Sequence, residues 1–435
     1  MARVLVCVHP ARGHVGPVKP IVEALVAAGH EGVVVTGARY RETFEKLGAT
    51  VDVLPPEADF DETDLDGSVP GRAGKRGLRL ARFELAHFVR AMPHQLSVID
   101  RHRADVILCD PLMMAGLALV RREHRPRLLT LGFLPFLPPV PTGPPGRFRG
   151  LALRALAPLV TGPAQKRARD LLGGDPGMRF TDWPLHSDGV LQMTCPGFEY
   201  PRPGAPLHFI GPTTVSAASE HPLPPWWGDL DGGRPVVHVT QGTIANDDLG
   251  RLVEPTIDVL AGEDVLVVAT TCGTPLRPGP LPDNVRVADF LPYDELLPRC
   301  AAMVGNGGYG GVNHALRHGV PLVVVGASED KREVAARVAW SGAGIGRARA
   351  SASPRTLRRA VRAVLDDPRY RNRARELAAE MAAGPTMAEV VDLITAPSRS
   401  WSWGGWGGGR RPPHHHPPGA PRPGRPPAPE TGGQP

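Results

Sequence analysis

Gly305–Pro321 reads GNGGYGGVNHALRHGVP. The residues before it, Ala302–Val304, are apolar and read as a buried strand that ends at Gly305. Four glycines then fall between positions 307 and 311, and a helical pattern sets in near Val312. Glycine lets the backbone approach a ligand closely, and the first turn of a helix offers unpaired N–H groups carrying positive partial charge. Strand end, glycine loop and helix start together make a pyrophosphate site. A tight strand-to-helix turn alone would use one or two glycines, not four.

The same alternation runs outward on both sides. In the second half, Val236–Thr240, Val265–Thr270, Val285–Phe290 and Leu322–Val325 read as strands, with helices at Arg355–Leu365 and Arg371–Ala383. In the first half, Val4–Val8, Gly32–Thr36, Val51–Leu54, Asp105–Cys109 and Arg127–Leu131 read as strands, and Pro17–Ala28 and Tyr40–Leu47 as helices. Apolar runs separated by helical patterns predict parallel sheets covered on both faces, an α/β architecture. Proline and glycine crowd Pro201–Trp227. A Rossmann-like domain is therefore expected over 1–212, a linker over 213–232 and a second Rossmann-like domain over 233–396. Ligands are expected in the cleft between the two halves. The Gly/Pro/Arg/His-rich tail over 397–435 cannot bury enough apolar area to order itself and is expected to be disordered. Two irregular stretches, 57–77 and 132–147, read either as solvated loops or as the walls of an acceptor cleft.

Composition narrows the function. Of 435 residues, 42% are hydrophobic and 22% charged, the balance of a globular enzyme. The net charge of +6 misleads, because five arginines and one glutamate after residue 396 supply +4 of it. No Lys/Arg stripe interleaved with aromatics appears, so no nucleic-acid partner is expected. Cys7, Cys109, Cys195, Cys272 and Cys300 lack metal-like or disulfide-like spacing. The N-terminus lacks signal-peptide features, and no apolar run is long enough to span a bilayer, so a cytoplasmic location is expected. After the first strand, ARGHVGP offers only Gly13 and Gly16, and no GxxxxGK[ST] occurs, which disfavours NAD enzymes and ATPases.

Beyond the glycine loop the sequence resembles the nucleotide-sugar glycosyltransferases of the two-Rossmann-domain (GT-B) type, family 1, which act on natural products, lipids and sterols. That family carries HGGxGTxxEALxxGVP, a short strand, DQxxNAxRV and GxG. Here the counterparts are NGGYGGVNHALRHGVP and LVVVGASEDKREVAARVAWSGAGI, matching at Gly307, Gly308, Gly310, Ala315, Leu316, Gly319, Val320, Pro321, Asp330, Ala335, Arg337, Val338, Gly342 and Gly344. Four positions depart: Asn306 replaces the phosphate-touching histidine, Gly311 a hydroxyl residue, His314 the ribose-holding glutamate, and Lys331 the glutamine after Asp330. These departures leave donor identity open.

The resemblance implies further roles. Thr243 occupies a phosphate-contacting hydroxyl position, with a helix N-cap as the alternative. Phe290, with Leu291 beside it, matches the aromatic that stacks on the nucleobase; a core phenylalanine at a strand end is the alternative. Asp330 is implied to accept from sugar hydroxyls. In the first half, ARGHVGPVKPIVEALVAAGH is similar to the family's GHxxPxxxLAxxLxxxGH, which makes His14 the general base, with Asp110 orienting it. The implied reaction is an inverting displacement from a UDP- or dTDP-sugar onto a hydroxyl of a small lipophilic acceptor, with no metal and no cofactor beyond the nucleotide-sugar co-substrate. No Asp-x-Asp pair sits at a plausible donor position, Asp64 and Asp66 lying in the acidic loop. Two rivals stand beside this reading: a catalytically silent nucleotide-binding partner protein, and a nucleotide-sugar epimerase.

Overall fold

The computed structural model describes residues 1–60, 85–135, 161–213, 222–242, 246, 248–327 and 330–397. Thr243, the Asp64–Asp66 segment and all of the tail from 398 lie outside these, as do most of the two irregular stretches.

Seven strands, β1 (Arg3–Cys7), β2 (Glu31–Thr36), β3 (Thr50–Val53), β4 (Val106–Cys109), β5 (Arg127–Gly132), β6 (Gly189–Gln192) and β7 (Leu207–Phe209), form one sheet. Its order is β3-β2-β1-β4-β5-β6-β7, with every neighbouring pair parallel. The pleat sends alternate residues of β1 to opposite faces. Val4, Val6 and Val8 join one core with helix α1 (Arg12–Ala27), while Leu5 and Cys7 join another beneath the opposite face. The short helices α2 (Arg41–Glu45), α3 (Met92–Ile99) and α4 (Ala115–Leu119) also belong to this half.

Strands β8 (Val236–Thr240), β9 (Leu266–Thr270), β10 (Val285–Ala288), β11 (Cys300–Gly305), β12 (Leu322–Val325) and β13 (Gly344–Arg347) form a second parallel sheet in the order β10-β9-β8-β11-β12-β13. Helices α5 (Val253–Leu260), α6 (Tyr293–Leu296), α7 (Tyr309–Arg317), α8 (Lys331–Ser341), α9 (Pro354–Asp366) and α10 (Pro368–Ala382) surround it. The last helix, α11 (Met387–Thr395), follows the second sheet in sequence but buries Val390, Val391, Leu393 and Ile394 in the core of the first.

Several expectations need correction. The proline-dense region before Trp227 holds β7 within the expected first domain, because Val190 N–H donates to the Pro206 carbonyl and zips Leu207–Phe209 onto the sheet edge. Helix α1 starts at Arg12, not near Pro17, and holds Pro17 and Pro20 inside it. Each proline removes one helical N–H, but the buried stripe Val15, Val18, Ile21, Val22 and Leu25 outweighs that loss. Helix α7 starts at Tyr309, so Gly310 and Gly311 are helical despite their low propensity. Burial of Tyr309 fixes this first turn.

Candidate active site

In an open parallel sheet, a crevice forms at the carboxyl ends of two neighbouring strands whose connections run in opposite directions. The strand orders place one such point between β1 and β4, and the other between β8 and β11. Both sequence-derived sites fall there.

At the first crevice, β1 runs into His9 and the first turn of α1, and β4 runs into Asp110. Cys7 and Cys109 are register partners, which brings the two loops together. Asp110 is fully buried and accepts three hydrogen bonds: from His14 Nδ1 at 2.8 Å, from the His9 N–H at 2.9 Å and from the Leu112 N–H at 2.7 Å. Burial by itself would raise this carboxyl; the His14 and His9 imidazoles and the Leu112 N–H outweigh it and hold the group below the ordinary value of 3.8. An ionised carboxylate only accepts, so the Nδ1 of His14 carries the proton of this hydrogen bond. The His14 side chain is 12% exposed.

Aromatic rings pack around this crevice. Phe133 meets His14 edge-on at 4.7 Å, and His9 meets His14 at 5.3 Å. Phe60 and Phe88 each lie 5.2 Å from His9, and His87 lies 4.0 Å from Phe60. Sequence reasoning missed this box. Phe133 alone carried a signal, directly after a predicted strand; the others come from segments with no shared periodicity.

At the second crevice, Gly305 is the register partner of Thr240, so Asn306 and the Gln241–Gly242 turn are neighbours. The Asn306 amide donates to the Gln241 carbonyl. Asn306 also approaches Gly326 so closely that a Cβ there would overlap the Asn306 carbonyl oxygen. Gly307 has φ +92°, and an added Cβ would lie 2.8 Å from Val324 Cγ1 and 3.3 Å from the Lys331 carbonyl oxygen. The glycine is therefore required by both backbone and space. Gly308 is the N-cap of α7, with no side-chain cap and no acidic residue in the first turn, so the positive end of the helix stays uncompensated there. Gly310 and Gly311 lie in that turn; the position of Gly311 would hold a side chain, the nearest atom to its Cβ being Met303 Cε at 3.8 Å.

The structure thus joins Asn306, Gly307, Gly308, Gly310, Gly311 and Lys331, with Asp330 beside Lys331 as the N-cap of α8. Phe290 follows β10 and is 39% exposed, whereas Leu291 is buried in the core. His314, matched to a ribose-holding glutamate, instead hydrogen-bonds Asp294 of α6 through Nε2 at 2.7 Å. Burial pulls its pKa down, with the Asp294 carboxylate acting in the opposite sense.

Buried polar contacts tie the two halves. Gln192 Nε2 donates to the Tyr309 hydroxyl at 2.8 Å, Thr194 Oγ1 to Asn313 Oδ1 at 2.5 Å, and Arg337 pairs with Glu199 at 2.5 Å with both side chains fully buried. Burial, with Asp289, raises the Cys272 thiol pKa just after β9, and Arg12, two residues before His14, acts in the opposite sense.

Two switch-point sheets, one bearing a buried carboxylate–histidine pair and the other a glycine-rich helix start, define a GT-B glycosyltransferase. Residues 256–396 match the model for the erythromycin biosynthesis protein CIII-like C-terminal domain. The 4'-demethylrebeccamycin synthase of Lentzea aerocolonigenes is 42% identical over 417 residues, covering 90% of this chain and 99% of that protein. UDP-glycosyltransferase 2 of Phaeomoniella chlamydospora is 34% identical over 433 residues, covering 90% and 94%. The solved Streptomyces sp. SF2575 glycosyltransferase SsfS6, complexed with thymidine diphosphate, has the same fold at TM-score 0.63 and 21% identity, covering 91% of this chain and 99% of that one. The chain belongs to family 1 of the nucleotide-sugar-dependent GT-B glycosyltransferases, in its natural-product branch. It is a sugar-transferring enzyme. Among the described residues no helix is long and apolar enough to cross a membrane.

Proposed function

We propose that the enzyme transfers a hexosyl or deoxyhexosyl group, with inversion, from a UDP- or dTDP-sugar to a hydroxyl on a flat, aromatic natural-product acceptor. The observation that carries this reading is the His14–Asp110 pair at the β1/β4 crevice, 2.8 Å apart, with Phe133 edge-on to His14 and Phe60 and Phe88 edge-on to the adjoining His9. Edge-on rings favour a planar apolar ligand.

The acceptor hydroxyl gives its proton to His14 Nε2 as its oxygen forms a bond to the anomeric carbon. The bond from that carbon to the diphosphate oxygen breaks on the opposite face, and the electron pair leaves with the diphosphate. Asp110 stabilises the imidazolium that results. The amides of the glycine loop and the positive end of α7 stabilise the departing charge. Exposure of Phe290 supports its stacking on the nucleobase, because a core role would bury it. With His314 turned to Asp294 no carboxylate stands at that position of α7 to grip a ribose diol, so thymidine diphosphate is expected to bind at least as well as uridine diphosphate.

Calorimetry with the two diphosphates, beside product formation on phenolic and polyketide acceptors, tests the reading. A strong uridine preference that survives His314→Ala would remove the donor argument. Absence of transfer to any planar aromatic acceptor would remove the acceptor argument.

A further inference from the structure

Apart from the proposed reaction, one cluster of side chains has the chemistry of a metal site. His314 lies on α7 and His318, four residues later, is its C-cap, a spacing that brings both imidazoles to one side of the helix end. Asp294, on α6, reaches the same point: its Oδ1 lies 2.7 Å from His314 Nε2 and 3.0 Å from His318 Nε2. The three ligand atoms all fall within 4.8 Å of one another. The imidazoles are stacked, with centroids 5.5 Å apart and planes 25° from parallel, and both Nε2 atoms meet the same Asp294 oxygen. Among the described residues this is the one such group of three or more.

We propose that Asp294, His314 and His318 form a binding site for a borderline divalent cation of the zinc class, clipping α6 to α7. Two imidazoles and one carboxylate suit Zn²⁺, Co²⁺ or Ni²⁺ and not the hard cations Mg²⁺ and Ca²⁺, which prefer oxygen ligands. Tyr293, next to Asp294, packs edge-on to His314 at 5.7 Å and holds the ring in place. Asp294 is 42% and His318 20% exposed, so a cation reaches the site from solvent and completes its shell with water. The clip is structural: it fastens the Phe290–Leu291 segment, which leads into α6, to the helix whose first turn forms the glycine loop.

The test uses the full chain with His414, His415 and His416 changed to alanine in every arm, so that the tail cannot bind the probe. Co²⁺ is titrated by its visible absorption, then displaced with Zn²⁺, and Tm is recorded with and without Zn²⁺. One equivalent should bind saturably, and Zn²⁺ should displace it and raise Tm. Asp294→Asn and His318→Gln should each weaken binding by at least about ten-fold, while their metal-free Tm shows that both remain folded. No saturable binding, or unchanged affinity in either variant, overturns the three-ligand site.

Discussion

Asparagine in place of Asp110 keeps the side-chain volume but removes the charge and one acceptor. The two carboxylate oxygens now serve three donors: Oδ2 takes His14 Nδ1 and the His9 N–H, and Oδ1 takes the Leu112 N–H. If the amide oxygen replaces Oδ2, its NH₂ opposes the Leu112 N–H. If it replaces Oδ1, the NH₂ opposes the His9 N–H and forces His14 into the other tautomer, with the proton on Nε2. Either way a buried donor loses its acceptor, at about 1–3 kcal/mol of stability. In the second arrangement the base is blocked outright; in the first the imidazolium loses its counter-charge. Turnover of Asp110→Asn should therefore fall on the order of 10²–10⁴-fold, with donor affinity unchanged. The acid limb of stability should change as well. A carboxyl held below its unfolded value stabilises the fold fully above the ordinary carboxylate range, and that stability is lost as pH falls through the depressed pKa. The variant should lack this contribution. Steady-state kinetics, calorimetry of nucleoside diphosphate binding and urea unfolding at neutral and acid pH read these effects. Turnover within about three-fold of the parent, less than about 1 kcal/mol in barrier, would refute the pair as the catalytic base.

His14→Ala should cut transfer to a hydroxyl acceptor by a similar 10²–10⁴-fold while nucleoside diphosphate affinity, measured by calorimetry, stays at the parental value. Glu199→Gln should destabilise by about 1–3 kcal/mol in urea unfolding, since it takes the nearer carboxylate from the buried Arg337 guanidinium and leaves it Glu333; Glu199→Leu with Arg337→Met should recover most of that loss, and an additive double variant would count against the pair. His238 is buried and its pKa is pushed down to about 4 by burial, against the raising effect of the Val268 carbonyl. The unfolded chain binds its proton more readily, so stability should fall by about 3 kcal/mol as pH drops from 6.5 to 4, and His238→Gln should flatten that slope in thermal scans across the range.

Local chemistry explains what could be read early. Apolar runs, glycine punctuation and helical periodicity act within a few residues, so the strand–helix alternation and the Gly305–Gly311 loop were legible without coordinates. The two halves and the donor-loop residues followed from the same local signals together with the family resemblance. Helix α11 was not: nothing in Met387–Thr395 says which sheet its apolar face will meet, and it returns to the first. His14 and Asp110 stand 96 residues apart, and their pairing came from resemblance to a motif. By sequence alone, then, the chain determined two parallel α/β halves, a phosphate-binding turn and a histidine placed after the first strand. Tertiary structure decided the rest. Only the neighbouring of β1 with β4 brings His14 to Asp110, and only packing sets Phe133 against His14 and Phe60 and Phe88 against His9. The partner that tertiary packing gave His314 is a carboxylate 20 residues earlier, and the one it gave Arg337 is a carboxylate 138 residues earlier. Such pairings depend on how distant segments close over a common core, and a side chain carries no local signal of the partner that burial will assign to it.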